Sequence, residues 1–193
     1  LKVWDLSKPK GKECIATLTG HKSWVETVTA LPDGRVVSSS DDNTLKVWDL
    51  NNPQEEQCIA TLEGHTDDVW TLTALPDGRV VSGSFDKTLK VWDLSKPKGK
   101  ECIATLEGHT GGVWTVTVLP DGRVVSGADD KTLKVWDLNN PEGERCIATL
   151  TGHTNWVRTV TALPDGRVVS GADDNTLKVW DLNNPEGERC IAT

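Results

Sequence analysis

The sequence contains no methionine, no tyrosine and a single phenylalanine, although it has nine tryptophans. It also lacks any apolar run near the roughly 18 residues of a membrane-spanning helix, and its first residues do not resemble a signal segment. Acidic residues number 29 against 21 lysines and arginines, which gives a net charge of −8. This balance repels a phosphate backbone, so neither nucleic acid nor a membrane is expected as a partner.

The five cysteines do not follow the pattern of a disulfide framework or of a zinc site. They recur every 44 residues, at Cys14, Cys58, Cys102, Cys146 and Cys190. An odd count leaves one thiol over, and no Cys-x-x-Cys pair supplies zinc ligands. We therefore expect buried, reduced thiols on an outer strand of a cytoplasmic protein, with no metal and no cofactor.

The same 44-residue interval governs the whole chain. The string Val-Trp-Asp-Leu begins at Val3, Val47, Val91, Val135 and Val179, and the dipeptide Gly-His repeats at the same spacing. A fixed period of this length indicates one supersecondary unit repeated in tandem, with no linker and no second domain. The sequence predicts a single arc over 1–193, made of a half-unit and four complete units, at 1–17, 18–61, 62–105, 106–149 and 150–193.

Each complete unit predicts four short strands and no helix. In the first complete unit the strands run from Val25 to Ala30, Arg35 to Ser40, Thr44 to Asp49 and Cys58 to Leu62. Leu-Pro-Asp-Gly and Asp-Asp-Asn supply the first two turns, and a Pro-containing loop precedes the fourth strand. Four strands per 44 residues, stacked radially, predict an all-β fold of propeller blades.

The spacing within the unit resembles that of the WD40 repeat. The Gly-His that ends at His21 is followed, after 26 residues, by the Trp-Asp of Trp48 and Asp49, and four copies agree along the chain. The resemblance implies a WD40-type β-propeller with four complete four-stranded blades and an N-terminal half-blade. Because the copies are nearly identical, they indicate a recently amplified or engineered propeller.

Every complete repeat carries one His, one Ser, one Asp and one Trp at fixed spacing. A Ser/His/Asp set is typical of hydrolases, but catalysis needs one asymmetric constellation, and no nucleophile elbow accompanies these serines. In WD40 proteins the matching residues form a buried hydrogen-bonded tetrad, so the resemblance implies structural tetrads and no enzyme. Histidines on separate blades do not form a metal site either. The predicted tetrads are His21, Ser38, Asp42, Trp48; His65, Ser82, Asp86, Trp92; His109, Ser126, Asp130, Trp136; and His153, Ser170, Asp174, Trp180.

The repeats differ mainly in the residues after Gly-His and in the residue before the tetrad Asp. In WD40 propellers these positions lie on one face around the central channel, which we call the top face. Every complete blade places one Trp there. The predicted protein-binding residues are Trp24, Glu26, Asp41, Asp68, Trp70, Phe85, Trp114, Asp129, Trp156, Arg158 and Asp173.

The charges in this variable region favour a cationic partner. With Lys22 and Asp67 included, two basic and six acidic side chains give −4. An acidic surface with several indoles suits a basic peptide, through ion pairs and cation–π contacts. The alternative is that each Trp folds over its own blade or fills the channel.

A second variable place is the loop before the outer strand. This loop is basic at 7–12 and 95–100, and acidic or mixed where it begins with Asn-Asn-Pro at Asn51, Asn139 and Asn183. We expect it to be a solvated loop on the opposite face rather than a second docking surface.

Four and a half blades are too few for a WD40 ring. An open arc would expose the apolar faces of its two terminal blades, which favours association. We expect a homodimer that closes one ring, with eight blades if the half-blades are displaced and nine if they insert. The predicted function is a non-enzymatic protein-binding scaffold. The alternative is an assembly-only module that has no present partner.

Overall fold

The computed structural model describes residues 1–51, 58–139, 145–182 and 190–193. Within these ranges the chain forms eighteen β-strands and no helix, so nothing there could cross a membrane as a helix. The strands are β1 (Lys2–Trp4), β2 (Cys14–Thr17), β3 (Val25–Ala30), β4 (Val36–Ser40), β5 (Leu45–Trp48), β6 (Cys58–Leu62), β7 (Val69–Ala74), β8 (Val80–Ser84), β9 (Leu89–Trp92), β10 (Cys102–Leu106), β11 (Val113–Val118), β12 (Val124–Ala128), β13 (Leu133–Trp136), β14 (Cys146–Leu150), β15 (Val157–Ala162), β16 (Val168–Ala172), β17 (Leu177–Trp180) and β18 (Cys190–Ala192).

The strands pair into five antiparallel sheets that follow the sequence repeats. β1 and β2 form a two-stranded half-blade, and each later group of four strands forms one sheet in sequence order. We call these sheets blade 1 (β3–β6), blade 2 (β7–β10), blade 3 (β11–β14) and blade 4 (β15–β18). The predicted all-β fold of four complete blades and an N-terminal half-blade is confirmed. The closure of a ring by a second chain stays a prediction.

The predicted strands of blade 1 agree with the structure to within one residue. The first and fourth have the predicted bounds, whereas β4 begins one residue late and β5 is one residue shorter at each end. Arg35 and Thr44 belong to turns because their backbone N–H groups donate to the side chains of Asp33 and Asp42, at 3.0 and 3.1 Å. Acidic turn residues therefore define where these strands start.

The turn between the second and third strands has the same backbone form in every complete blade. Its third residue has a positive φ of 64° to 71°, at Asn43, Lys87, Lys131 and Asn175. Asparagine adopts this left-handed region readily, whereas lysine does so at some cost. The carboxylate of the Asp just before this residue then accepts hydrogen bonds from the Thr just after it. These bonds hold the turn that carries the tetrad Asp.

The apolar core lies between neighbouring blades. At the first junction, five residues of blade 1 pack against four of blade 2: Leu31, Val37, Leu45, Val47 and Leu62 against Val69, Leu72, Val80 and Trp92. The equivalent residues form the next two junctions, and the second junction also includes Ala128 and Leu138. Each blade is thus apolar on both faces, as expected for stacked sheets.

The two outermost faces of the arc lack this cover. On blade 1, Val28 is 53% exposed, whereas the equivalent Leu72 of blade 2 is 7% exposed. On blade 4, Leu177 is 63% exposed, whereas the equivalent Leu133 of blade 3 is fully buried. The same residue types are therefore covered at the internal junctions and uncovered at the two ends.

The prediction that the cysteines are buried is wrong. All five are free thiols on the outermost strand, but Cys14 and Cys102 are exposed and the other three are half-buried. Each is the first residue of its strand and pairs with the Trp of the Val-Trp-Asp-Leu string on the neighbouring strand. The strand register shifts next to this pair. The outer strand has a neighbouring strand on one side only, so solvent reaches this position. The cytoplasmic location stays a prediction.

The second variable loop is described only in its basic copies. Residues 7–12 and 95–100 form exposed turns, each started by a carboxylate, Asp5 or Asp93, that accepts from the Ser two residues later. The Asn-Asn-Pro copies fall largely on 52–57, 140–144 and 183–189, including Asn183, which lie outside the described residues.

Candidate functional site

Each complete blade brings the four residues of its predicted tetrad together. In blade 2, His65 Nδ1 lies 2.7 Å from Asp86 Oδ2, and His65 Nε2 lies 2.7 Å from Ser82 Oγ. Trp92 Nε1 donates to the same Ser82 Oγ at 2.8 Å. The corresponding distances in the other three blades are all 2.7 to 2.9 Å. Because the Asp carboxylate can only accept, the His Nδ1–H donates to it. In that tautomer Nε2 accepts from the Ser hydroxyl, whose oxygen in turn accepts from the indole N–H.

The tetrad carboxylate has more partners than the sequence alone indicated. Asp86 accepts from the backbone N–H of Thr66, from His65, and from both the N–H and the hydroxyl of Thr88. Burial alone would raise the pKa of Asp86, but these hydrogen bonds outweigh it and hold the pKa well below its ordinary value. The pKa values of the other three tetrad carboxylates shift in the same direction, for Asp42, Asp130 and Asp174.

The Asp–His–Ser order of these contacts matches that of a hydrolase, but the surroundings do not suit catalysis. Ser38, Ser82 and Ser126 are fully buried, and each hydroxyl oxygen is already engaged by an indole N–H. A substrate carbonyl therefore has no path to the oxygen. Within the described residues, no three His, Cys, Asp or Glu side chains are grouped as a metal site.

On the top face, aromatic side chains from three blades form one continuous stack. Trp70 lies against Phe85 of its own blade, with ring centroids 4.8 Å apart, and stacks on Trp114 of blade 3 at 3.7 Å. The Arg158 guanidinium of blade 4 lies 3.9 Å from the Trp114 ring and 4.7 Å from the Trp156 ring. The indoles thus contact one another across blades.

Two acidic residues of the top face are already engaged within the chain. Asp129 accepts a short hydrogen bond from Trp114 Nε1. Asp173 accepts from Nε and Nη2 of Arg158, both at 2.8 Å. The Arg158 guanidinium therefore neutralises Asp173 on blade 4, whereas the neutral indole N–H of Trp114 satisfies one oxygen of Asp129 on blade 3 without cancelling its charge.

A cluster of acidic side chains with no basic partner among the described residues lies on blades 1 and 2. Burial and the nearby carboxylates of Asp68 and Glu26 raise the pKa of Asp41. The Asp41 Oδ1 atom is buried and has no hydrogen-bond partner among the described residues. Burial and Asp67 raise the pKa of Asp68 as well. On the same blade as Asp41, the Trp24 side chain is 78% exposed.

The sequence model of the family described as "WD domain, G-beta repeat" matches four tandem segments, at 12–49, 56–93, 100–137 and 144–181. Each match starts ahead of an outer strand and ends just after the third strand of the next blade, so each repeat connects two sheets. Together the matches cover more than half of the chain. The chain belongs to the WD40 family.

A solved structure supports the same fold. The chain is similar to the protein in "Crystal structure of WD40 beta propeller domain of Doa1", with 25% sequence identity and a TM-score of 0.75. The alignment covers 91% of this chain and 55% of that one, so the chain spans about half of that propeller chain. No curated protein sequence matches it. WD40 propellers are typically protein-interaction scaffolds without enzymatic activity.

Two parts of this site were missed from the sequence. The Thr that closes each tetrad carboxylate could have been found, because Asp-x-Thr recurs in every complete repeat, as in Asp42-Asn43-Thr44. The stack of Trp70, Trp114 and Arg158 has no such signal. It joins residues at one variable position of neighbouring WD40 repeats, and nothing in one repeat shows how its side chains meet the next.

Proposed function

We propose that this WD40 protein is a non-enzymatic scaffold whose top face binds a basic peptide or loop. The observation that carries the proposal is the uncompensated acidic group of Glu26, Asp41 and Asp68, together with the exposed residue Trp24, whose backbone carbonyl accepts from the Asp41 N–H at 3.0 Å. Exposed aromatic side chains are common anchors of protein interfaces, and neighbouring carboxylates select for a cationic partner.

The chain itself contains an example of how such a cation is held. Arg158 combines an ion pair to Asp173 with stacking on two indoles. An arginine of a partner peptide finds the same kinds of group on blade 1, where Trp24 and Asp41 are equivalent in the repeat to Trp156 and Asp173. Guanidinium groups favour this combination because they are planar and weakly hydrated.

The proposal is tested by fluorescence anisotropy with a labelled oligo-arginine peptide, and with oligo-glutamate as the negative probe. The double variant Asp41→Asn/Asp68→Asn should weaken binding of oligo-arginine by about tenfold, from the loss of two charges near the ligand. The matched control is Asp33→Asn/Asp77→Asn, which removes two exposed charges elsewhere. Equal affinity of both double variants, or binding of oligo-glutamate, contradicts the proposal.

An assembly-only module is the second candidate, favoured by the near-identity of the blades and by the uncovered apolar faces of blades 1 and 4. In this proposal two copies close one homodimeric ring and no other partner is needed. Light scattering coupled to gel filtration should give about 42 kDa, twice the 21.0 kDa of one chain. A stable 21 kDa species at micromolar concentration contradicts it.

A further inference from the structure

We infer that the two ends of the arc are matched in charge, so that Arg158 on blade 4 of one copy pairs with Glu26 on blade 1 of a second copy. This inference rests on the ring closure proposed above. It adds which end meets which, and through which side chains.

Three positions of each blade carry the variable side chains of the top face. The preceding position comes just before the first residue of the blade's innermost strand (β3, β7, β11 or β15), and the following position comes just after that residue. The third position comes just before the tetrad Asp. In the order of blades 1 to 4, the preceding position holds Trp24, Asp68, Gly112 and Trp156. The following position holds Glu26, Trp70, Trp114 and Arg158, and the third holds Asp41, Phe85, Asp129 and Asp173.

The internal junctions show how these positions meet between neighbouring blades. The following position of one blade contacts the following position of the next, as Trp70 stacks on Trp114 at 3.7 Å and Arg158 lies 3.9 Å from Trp114. It also faces the preceding position of the next blade, since Trp114 stacks with Trp156 at 6.4 Å.

The third position has its own neighbour across the junction. Gly112 lies so close to Phe85 of blade 2 that an added Cβ would be 2.5 Å from that ring. Asp41 is likewise near enough to Asp68 of blade 2 for the second carboxylate to raise its pKa. The third position of one blade therefore faces the preceding position of the next blade.

Applied to the open ends, these contacts give a complementary pair. Blade 4 of one copy offers Arg158 and Asp173, and blade 1 of the other offers Trp24 and Glu26. Arg158 contacts Asp173 through Nε and Nη2. Its Nη1 is the nitrogen that then meets the Glu26 carboxylate, its guanidinium lies against the Trp24 ring, and Asp173 faces the same ring. This arrangement covers the exposed indole and brings a cation beside the acidic group of blade 1, so the second copy and a basic peptide would compete for Trp24 and Glu26.

The apolar residues of the two ends agree with this pairing. At the first internal junction, Val69 and Leu72 pack among Leu31, Val37, Leu45 and Val47. The counterparts at the two ends are Val25 and Val28 on blade 1, and Leu163, Val169, Leu177 and Val179 on blade 4. Val25, Val28 and Leu177 are exposed and the other three are half-buried. The end faces thus carry the same apolar types as a junction that is already formed in the chain.

The proposed contact does not depend on which outer strands complete the shared blade. Glu26 lies on β3, Arg158 lies on β15, and Trp24 and Asp173 are next to β3 and β16. All four lie in or next to the first two strands of a blade. The half-blade has only the counterparts of the third and fourth strands. The Arg158–Glu26 pair therefore forms whether β17–β18 or the half-blade of the other copy occupies the outer half. A nine-blade ring with inserted half-blades would separate the two residues.

The charges also fix the direction of association. If blade 1 met blade 1, Glu26 would face its own copy, and if blade 4 met blade 4, Arg158 would face its own copy. Both arrangements place like charges together, whereas the blade 4 to blade 1 arrangement places opposite charges together at both junctions of a two-fold ring.

The experiment is a charge-reversal cycle followed by analytical ultracentrifugation over a dilution series in low salt. Glu26→Arg and Arg158→Glu should each raise the dissociation constant of the dimer by about tenfold or more, because each places like charges at both junctions. The double variant Glu26→Arg/Arg158→Glu should return to within about threefold of the unmodified protein. Arg123→Glu, which breaks the exposed ion pair to Asp121 away from both ends, is the control with the same change of charge as Arg158→Glu.

Mixing the two single variants separates association from folding defects. In a mixed dimer both junctions again bring a cation against an anion, so two variants that dimerise weakly alone should form a heterodimer, visible by native mass spectrometry as the mixed mass. Single variants that dimerise like the unmodified protein, or a mixture without preference for the heterodimer, overturn the Arg158–Glu26 pair and leave ring closure standing. Absence of any dimer of the unmodified protein overturns ring closure, and the pair with it.

Discussion

The tetrads and the top face are both polar constellations carried by every complete blade, and they behave in opposite ways. The tetrads repeat the same four residues with hydrogen bonds of 2.7 to 2.9 Å in all blades. The top face has a different combination of residues on each blade, and its contacts cross from blade to blade. Chemistry repeated identically in each blade supports the blade, whereas chemistry that differs between blades can distinguish one partner from another.

Burial explains why the two regions tolerate polar groups differently. The tetrad serines and three of the four histidines are buried, so each polar atom requires a partner inside the blade. The top face is partly open to solvent, where an unpaired carboxylate such as Asp68 costs far less. A mutation should therefore reduce stability most in the tetrads and affect binding most on the top face.

The largest expected effect is acid unfolding, which removes all four tetrads together. The lowered pKa values of their carboxylates mean that the unfolded chain binds protons first, so their contribution is present above the ordinary Asp value of 3.8 and is lost as pH falls below it. Burial also lowers the pKa of His21, so its protonation at acidic pH acts in the same direction.

We expect the urea midpoint to stay nearly constant from pH 8 to about 6 and to drop steeply below about 4. Circular dichroism during urea titrations at several pH values measures it. An unchanged midpoint at pH 3 would contradict the view that these carboxylates are ionised and stabilising.

A single tetrad should show the next largest effect. Asp86→Ala leaves His65 and Thr88 without their acceptor and should lower the free energy of unfolding by roughly 1–3 kcal/mol. Glu107→Ala, at an exposed position just after β10 of the same blade, should change it by less than about 0.5 kcal/mol. Thermal and urea denaturation of both variants give the comparison, and equal losses would remove the distinction between tetrad and surface carboxylates.

Smaller effects on stability are expected at the top face, and they should follow the stacking. Trp114→Ala removes an indole stacked on a neighbouring blade and should cost about 1–2 kcal/mol, whereas Trp24→Ala should cost almost nothing. Replacing Trp24, Trp70, Trp114 and Trp156 together should still leave a folded propeller and abolish binding of the basic peptide. Melting curves and the anisotropy assay check both parts, and a fourfold variant that is unfolded would mean that these residues are core.

The structure could be predicted from the sequence where the repeats agree with one another. Prediction failed where the environment of a side chain depends on the neighbouring strands or blades. The tetrads were predictable because four copies place His, Ser, Asp and Trp at the spacing of the WD40 repeat, and the resemblance to that family implies the hydrogen-bonded set. The cysteines were placed on the right strand but wrongly expected to be buried, because periodicity does not show that the outer strand has an open side. The pairing of Arg158 with Asp173 and Trp114 depends on how three loops approach one another, which no spacing encodes.

The smallest expected effect concerns the one place where the interior of blade 1 departs from the other blades. Ser39 is fully buried and its hydroxyl has no hydrogen-bond partner among the described residues, whereas the other blades have Gly83, Gly127 and Gly171 there. Ser39→Gly removes an unsatisfied polar group, worth roughly 1–3 kcal/mol, and loses about 0.5–1 kcal/mol through the flexibility of glycine in a strand. We expect a net gain of about 1 kcal/mol in the free energy of unfolding.

The reverse change, Gly127→Ser, should destabilise the protein, because its Cβ would lie 2.6 Å from Val157 Cγ1 of blade 4. Urea denaturation of both variants measures the pair, and a loss of stability in Ser39→Gly would show that the Ser39 side chain contributes packing that outweighs its unpaired hydroxyl.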